Sequence, residues 1–260
     1  NDVWCRDHGP IFIKHNETGK VAITDWEFNA WGGKSAHGFD EALARRILNG
    51  LGLECFGTPL ANEGGAIHVD GEGTLITTES VLLNPNRNPG MSRAQIEAEL
   101  KANLGLRKII WLPGIKGKDI TDAHVDFYAR FASKGVVIAN LDNDPKSYDY
   151  AETRKHLDIL KAATDADGNK LVVHTLPPPL KVRSNVYTQN NPDFAPGYIN
   201  YLPVNGAVIV PQFGDAAADK YAKDLLAKLY PGRVVVQVNI DPIAAGGGGI
   251  HCVSKNLPAV

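Results

Sequence analysis

The sequence predicts an α/β fold in which one small unit of strands and a helix recurs along the chain. Three observations support this prediction. A short apolar run typical of a strand appears four times after a glycine-containing turn, a helical pattern follows each run, and another apolar run follows each helix. The first runs are residues 21–23, 74–76, 136–138 and 207–209. Because one such unit cannot bury its own apolar face, we predict that five units close into a ring, a pseudo-symmetric five-bladed α/β propeller.

The four helical patterns have apolar residues at helical spacing and recognisable ends. Ser92 and Gln95 match a capping box at the start of the second helix, and Gly105 is suited to end it. Asp215 is the predicted N-cap of the last helix. The apolar positions that define the four helices are Phe39, Leu43 and Ile47; Ile96, Leu100 and Leu104; Leu157 and Leu160; and Ala218, Tyr221, Leu225 and Leu229.

Two further strands complete each predicted unit. The strand after each helix covers residues 53–56, 108–112, 171–175 and 234–238, and the third element covers residues 66–70, 124–131, 198–202 and 249–253. Residues 9–13 match the third strand of a unit whose beginning is absent, so the first blade is expected to be incomplete. We predict one catalytic domain over residues 1–260.

The charge and cysteine content exclude several classes of protein. The net charge is −2, no basic run occurs, and no apolar stretch approaches the ~20 residues of a membrane helix, so neither nucleic acid nor a membrane is an expected partner. Cys5, Cys55 and Cys252 are too few and too widely spaced for a disulfide framework, which favours a cytoplasmic setting. The chain begins at Asn1 without a methionine, so any targeting signal would lie outside it.

Four consecutive glycines, at positions 246–249, precede Cys252. Glycine allows a sharp turn and a close approach of the backbone to another group, and the residues that follow suit a strand. A thiol just after such a turn is a candidate nucleophile, although a buried structural cysteine has the same pattern.

The candidate reactive residues occupy equivalent places in the predicted units. Asp7 and Glu63 each precede a third element, His124 and Asp126 lie within one, and Cys252 lies within the last. His124 and Asp126, two residues apart, would share one face of a strand, and a ring would bring all five side chains to its axis. Paired carboxylates suit a guanidinium, a thiolate can attack its central carbon, and an imidazole can protonate the departing ammonia. The pattern therefore predicts hydrolysis of a guanidine to a urea.

Several stretches resemble the agmatine deiminase family, which belongs to the guanidine-modifying superfamily that also holds the Porphyromonas-type peptidylarginine deiminases. The resemblance covers nearly the whole chain in the family's order. The matching stretches are residues 4–10, 25–33, 63–74, 83–89, 121–126 and 246–252.

The resemblance implies the five-bladed propeller called the pentein fold and a site without metal or cofactor. It implies Cys252 as the nucleophile, His124 as the general acid and base, and Asp7 and Asp126 as the carboxylates that hold the guanidinium. The implied substrate-binding residues are Glu63, Trp4, Gly248 and Gly249. The sequence departs from the family pattern at His8, where Thr or Ser is usual, at Gly249, where Asn is usual, and at Phe127, where Asn is common.

The implied reaction converts agmatine to N-carbamoylputrescine and ammonia, a step in polyamine (putrescine) biosynthesis. A peptidylarginine or free arginine deiminase would use the same chemistry. A metal hydrolase using His68, Asp70, His124 and Asp126 and a non-catalytic binding propeller are further alternatives. The expected partner is a small-molecule guanidine, with homo-oligomerisation left open.

Overall fold

Four three-stranded sheets make up the strand content of residues 1–258, which are the residues described by the computed structural model. In each sheet the first two strands pair antiparallel and the second and third pair parallel. The strands, sheet by sheet, are β1 (Ile11–Lys14), β2 (Val21–Glu27) and β3 (Glu54–Ala61); β4 (Ile67–Val69), β5 (Thr74–Thr78) and β6 (Lys108–Leu112); β7 (Ala129–Ser133), β8 (Val136–Ala139) and β9 (Val172–Thr175); and β10 (Leu202–Val204), β11 (Ala207–Gln212) and β12 (Val234–Asn239).

One long helix joins the second and third strands of each sheet, as parallel pairing requires. The helices of the described residues are α1 (Cys5–His8), α2 (Ala30–Gly33), α3 (Leu43–Leu51), α4 (Glu79–Leu82), α5 (Arg93–Leu104), α6 (Asp149–Ala162), α7 (Ala216–Leu229) and α8 (Asp241–Ala244). The predicted ends of two of them are confirmed. Ser92 and Gln95 form the capping box of α5, Gly105 ends it at φ 64°, and the Asp215 side chain caps α7. None of these helices is both long enough and apolar enough to span a bilayer.

The apolar core is divided among the sheets and their helices. Leu75 of β5 packs with Ile96 and Leu100 of α5, and Val137 of β8 packs with Leu160 of α6. The fourth sheet and α7 form the largest cluster, which includes Val208, Ala222 and Leu226. The second, third and fourth sheets thus each bury one face against their own helix.

Five chain segments contact one another in a closed cycle. Backbone N–H groups of Asp126, His251 and Arg6 donate to the carbonyls of Gly65, Asn200 and Cys252, at 3.2, 3.1 and 3.0 Å. The Gly65 N–H donates to Asp7 Oδ1 at 2.9 Å, and Arg130 Nη1 donates to the Ile199 carbonyl at 3.0 Å. The segments, in order around the cycle, are residues 6–7, 63–68, 124–130, 199–201 and 250–252.

The structure corrects the predicted form of three of these segments. Residues 250–253 are a turn rather than a strand, because the His251 and Val253 N–H groups bond to Asn200 and Gly249 instead of a neighbouring strand. His124 and Asp126 lie at a 3₁₀ turn (Val125–Phe127) before β7, and in the segment 198–202 the strand begins only at Leu202. The described residues contain four complete sheets, so five blades are not shown.

Candidate active site

Three reactive side chains converge on Gly65. A Cβ atom at this position would lie 2.6 Å from His124 Nδ1, 2.8 Å from Asp7 Oδ1 and 3.2 Å from Asp126 Oδ2. Gly65 lies in the turn between β3 and β4, whereas Asp7 belongs to α1 and the other two to the turn before β7. Because any side chain here would displace the three groups, the position requires glycine.

The Cys252 thiol is buried beside this point. Its sulfur is 3.6 Å from Asp126 Oδ2 and accepts a hydrogen bond from Asn200 Nδ2 at 3.3 Å. Burial, together with the nearby charges of Asp126 and Asp7, raises the pKa of the Cys252 thiol well above its ordinary value. In the free site the sulfur is therefore protonated at neutral pH.

The His124 imidazole lies between two carboxylates. Its Nε2 is 3.3 Å from Glu63 Oε2, and its Nδ1 is 3.6 Å from Asp7 Oδ1. Burial by itself lowers the pKa of this imidazole, but Asp7 and Glu63 outweigh burial and raise the pKa to about 9. His124 is thus an imidazolium at neutral pH, which is the form that can give a proton to a leaving group.

Asp126 has one occupied and one free carboxylate oxygen. His251 Nδ1 donates to Oδ2 at 2.7 Å, whereas Oδ1 is buried without a partner among the described residues. Burial raises the pKa of Asp126 to about 6, partly offset by the charge of His124. Burial and the charges of Arg130 and Arg6 lower the pKa of His251 well below its ordinary value, so His251 is a neutral donor. The free Oδ1 can accept from a bound cation.

The Asp7 carboxylate is held by two donors. Trp31 Nε1 donates to Oδ2 at 2.9 Å, and the Gly65 N–H donates to Oδ1 at 2.9 Å. Trp31 and its neighbour Ala30 have positive φ angles of 55° and 53°, in the left-handed region that non-glycine residues rarely occupy. This strained backbone conformation occurs at the residue whose indole donates to Asp7.

A buried ion network supports Glu63. Arg87, whose side chain is completely buried, donates from Nε to Glu63 Oε1 at 2.7 Å and from Nη1 to Asp122 Oδ2 at 2.8 Å. Asp122 and Ala123, directly before His124, have φ angles of 64° and 77°. Asp122 also accepts from Lys34 Nζ at 2.7 Å. The network therefore anchors both Glu63 and the strained backbone that positions His124.

The glycine run packs against Trp4. A Cβ at Gly248 would lie 2.3 Å from Trp4 Cζ3, and one at Gly246 would lie 3.1 Å from Trp4 Cζ2. A Cβ at Gly249 would lie 2.5 Å from Asn200 Oδ1. The glycines thus allow the indole and the Asn200 amide to approach the loop that carries Cys252.

The structure brings together the predicted residues Cys252, His124, Asp126, Asp7 and Glu63, and it places Trp4, Gly248 and Gly249 at the adjoining loop. Sequence reasoning missed the supporting residues Asn200, His251, Trp31, Arg87 and Asp122. Four of them lie in stretches already singled out, within residues 25–33, 83–89, 121–126 and 246–252. Asn200 has no local signal.

Two other candidate residues lie elsewhere. His68 Nε2 accepts from Arg130 Nε at 3.1 Å, and Asp70 Oδ1 accepts from the backbone of Glu72 and Thr74, a turn role. Within residues 1–258, no group of three or more His, Cys, Asp or Glu residues is placed to hold a metal ion.

Comparisons with known proteins give matches over nearly the whole chain. The Porphyromonas-type peptidyl-arginine deiminase family matches residues 1–258. The agmatine deiminase of Pseudomonas fluorescens is 40% identical over 278 residues, which cover 100% of this chain and 75% of the relative. The agmatine deiminase of Medicago truncatula is 39% identical, covering 100% of this chain and 77% of the relative. The solved agmatine deiminase of Enterococcus faecalis superposes with a TM-score of 0.88 at 33% identity, covering 96% of this chain and 73% of that one.

Proposed function

The chain belongs to the Porphyromonas-type peptidyl-arginine deiminase family, and from this premise we propose that it hydrolyses agmatine to N-carbamoylputrescine and ammonia. The observation that carries the proposal is the convergence of a thiol, an imidazolium and two carboxylates around Gly65. A guanidinium is the ligand this set suits, because its N–H groups form a rigid fork that pairs with carboxylates.

Asp7 and Asp126 are the proposed guanidinium ligands. Asp126 offers the unpartnered Oδ1, and its carboxylate and that of Asp7 both approach Gly65. Glu63 is less available, because it is ion-paired with Arg87, whereas the two hydrogen bonds to Asp7 come from neutral donors. The two carboxylates therefore orient the planar group next to the Cys252 sulfur.

The positive charge of the substrate makes the thiol reactive. In the free site, Asp126 and Asp7 disfavour the thiolate. A bound guanidinium offsets both charges, so Cys252 loses its proton more easily when the substrate is present.

The proposed reaction has two steps. After the Cys252 thiol has lost its proton to solvent, the sulfur forms a bond to the central guanidinium carbon, and the C–N bond to one terminal nitrogen breaks as His124 gives that nitrogen a proton, which releases ammonia. His124 then accepts a proton from water as the water oxygen bonds to the same carbon, and the C–S bond breaks as the new hydroxyl proton passes to the sulfur. The released ammonia takes up a proton from solvent. The net change is a guanidinium plus water to a urea plus ammonium.

The arginine side chains near the site favour agmatine over arginine. Arg6 donates to the His251 carbonyl and to Asn256, and Arg130 donates to His68 and to the Ile199 carbonyl. Arg87 is likewise bound to Glu63 and Asp122. The guanidinium groups of these three residues are thus held by protein partners rather than offered to the α-carboxylate of free arginine. Trp4 provides an aromatic face suited to a cationic tail.

We also propose that the four sheets and the turn at residues 250–252 represent five blades of one catalytic domain. The closed cycle of five segments supports this, because each corresponds to the same element of a repeated unit. We place the protein in the cytoplasm, on the cysteine pattern, with a small-molecule guanidine as partner and no nucleic acid or membrane.

The test is ammonia release by the purified protein and its Cys252→Ala variant, with agmatine, arginine and a peptidyl-arginine as substrates. The wild type should show its highest kcat/KM with agmatine, the variant should show no turnover, and acid-quenched wild-type reactions should carry an adduct on Cys252. Cys55→Ala, which removes a thiol on β3, is the matched control and should stay active. Full activity in Cys252→Ala would refute the mechanism. Activity lost in chelator would instead favour the metal hydrolase.

A further inference from the structure

The Asn200 side chain is completely buried, and its hydrogen bonds go to the turn that carries Cys252. Its Oδ1 accepts from the backbone N–H groups of His251, at 2.9 Å, and Cys252, at 3.3 Å. Its Nδ2 donates to the Cys252 sulfur at 3.3 Å. One amide thus contacts both the backbone and the reacting atom of the same residue.

The orientation of this amide follows from its neighbours. Two backbone N–H groups face one end, and only the oxygen can accept from both, so the NH₂ group must face the sulfur. Gly249 makes the approach feasible, since a Cβ there would lie 2.5 Å from Asn200 Oδ1.

The contact to sulfur counters an unfavourable neighbour. Asp126 Oδ2 lies 3.6 Å from the sulfur, and a carboxylate at this distance disfavours a second negative charge. A hydrogen bond from a neutral donor becomes stronger when its acceptor is ionised, so the Asn200 amide favours the thiolate over the thiol. Among the described residues, Asn200 provides the one side-chain N–H group within hydrogen-bond distance of this sulfur.

We propose that Asn200 is a positioning residue that holds the Cys252 turn through Oδ1 and stabilises the Cys252 thiolate through Nδ2. This inference rests on the proposed role of Cys252 as the nucleophile.

The decisive variant is Asn200→Asp. It keeps an oxygen that can accept from the His251 and Cys252 backbone, and it replaces the donor to sulfur by another oxygen. Asn88→Asp is the matched control, because Asn88 is buried, accepts from the Ala61 N–H at 2.9 Å and donates to backbone carbonyls rather than to sulfur.

The readout is alkylation of Cys252 by iodoacetamide without substrate, from pH 6 to 10.5, followed by mass spectrometry of the Cys252 peptide. The thiolate is the form that reacts, and below the pKa a rise of one pKa unit lowers the thiolate fraction tenfold. Asn200→Asp should therefore react at least about tenfold more slowly at pH 7–9. Asn88→Asp should react like the wild type. With agmatine, Asn200→Asp should lower kcat at least about tenfold and change KM less than about threefold.

A second variant tests the same contact with the amide retained. Gly249→Ala places a methyl group where it displaces the Asn200 side chain, so alkylation of Cys252 should again slow. If Asn200→Asp is alkylated as fast as the wild type, the inference is overturned. If Asn200→Asp does not fold, the same result in Gly249→Ala overturns it. Alkylation needs no turnover, so the two proposals can fail separately. If the wild-type protein does not hydrolyse agmatine but Asn200→Asp still slows alkylation of Cys252, only the proposed function is refuted.

Discussion

Replacement of Arg87 by methionine should destabilise the protein strongly at neutral pH. The Arg87 side chain is 0% exposed, and its partners Glu63 and Asp122 are each 1% exposed. Removing one partner from a buried ion pair typically costs about 3–5 kcal/mol, because the remaining charge stays buried. Glu63 keeps its contact to His124, and Asp122 keeps its contact to Lys34. We therefore expect a loss near the lower end of this range, about 3 kcal/mol.

The loss should depend on pH in a defined direction. Burial opposes ionisation of Glu63 and Asp122, but His124 and Arg87 lower the pKa of Glu63, and Lys34 and Arg87 lower that of Asp122. A carboxyl group whose pKa is lower in the folded state stabilises the fold at pH values above its unfolded-state pKa, which is about 4 for both groups. This stabilisation disappears as the pH falls through the folded-state pKa. The cost of Arg87→Met should therefore be largest above about pH 5 and should shrink toward acid.

Urea unfolding of the wild type and Arg87→Met at pH 7.5 and pH 4.0 measures this directly. Arg45→Met is the matched control, because Arg45 pairs with Asp25 at the surface and its loss should have a much smaller effect at both pH values. Equal losses for the two variants at pH 7.5, or a loss for Arg87→Met that does not decrease at pH 4.0, would refute the reasoning.

Two further predictions concern the reacting groups. Asn at either Asp7 or Asp126 removes a charge-assisted hydrogen bond to the guanidinium, so each variant should lose about 2 kcal/mol in kcat/KM, roughly 30-fold. Asp70→Asn, which alters a turn residue, should stay within about twofold of the wild type, and an equal loss there would contradict the assignment. For His124, the folded-state pKa of about 9 exceeds the unfolded value of about 6.5, so its charge stabilises the fold below pH 6.5, and this stabilisation is lost as the pH rises through 9. The wild type should thus exceed His124→Gln in urea stability most at pH 6 and least at pH 10, and a difference independent of pH would count against the imidazolium.

Local patterns in the sequence were sufficient for the elements whose signals are local. Both the capping box at Ser92 and Gln95 and the stop at Gly105 depend on neighbouring residues alone, and the structure confirms them. The first strand of each predicted unit, which is β2, β5, β8 or β11 in the structure, was found because β-branched residues follow glycine-containing turns. The resemblance to the family, carried by residues such as Asp7, His124 and Cys252, was likewise visible without coordinates and is confirmed.

The form of the site depended on contacts between distant residues. Residues 250–253 have the composition of a strand, yet they form a turn because Asn200 accepts from the His251 and Cys252 N–H groups and Gly249 from that of Val253. Asn200 is 52 residues from Cys252, and Arg87 is 24 from Glu63, so no periodicity or spacing marks either one. Sequence alone thus predicted the candidate reactive groups and the repeated unit, whereas the tertiary structure decided which oxygen of Asp126 is free and which side chain contacts the thiol. The physical reason is that pairing between buried polar groups depends on three-dimensional proximity, which local propensity does not encode.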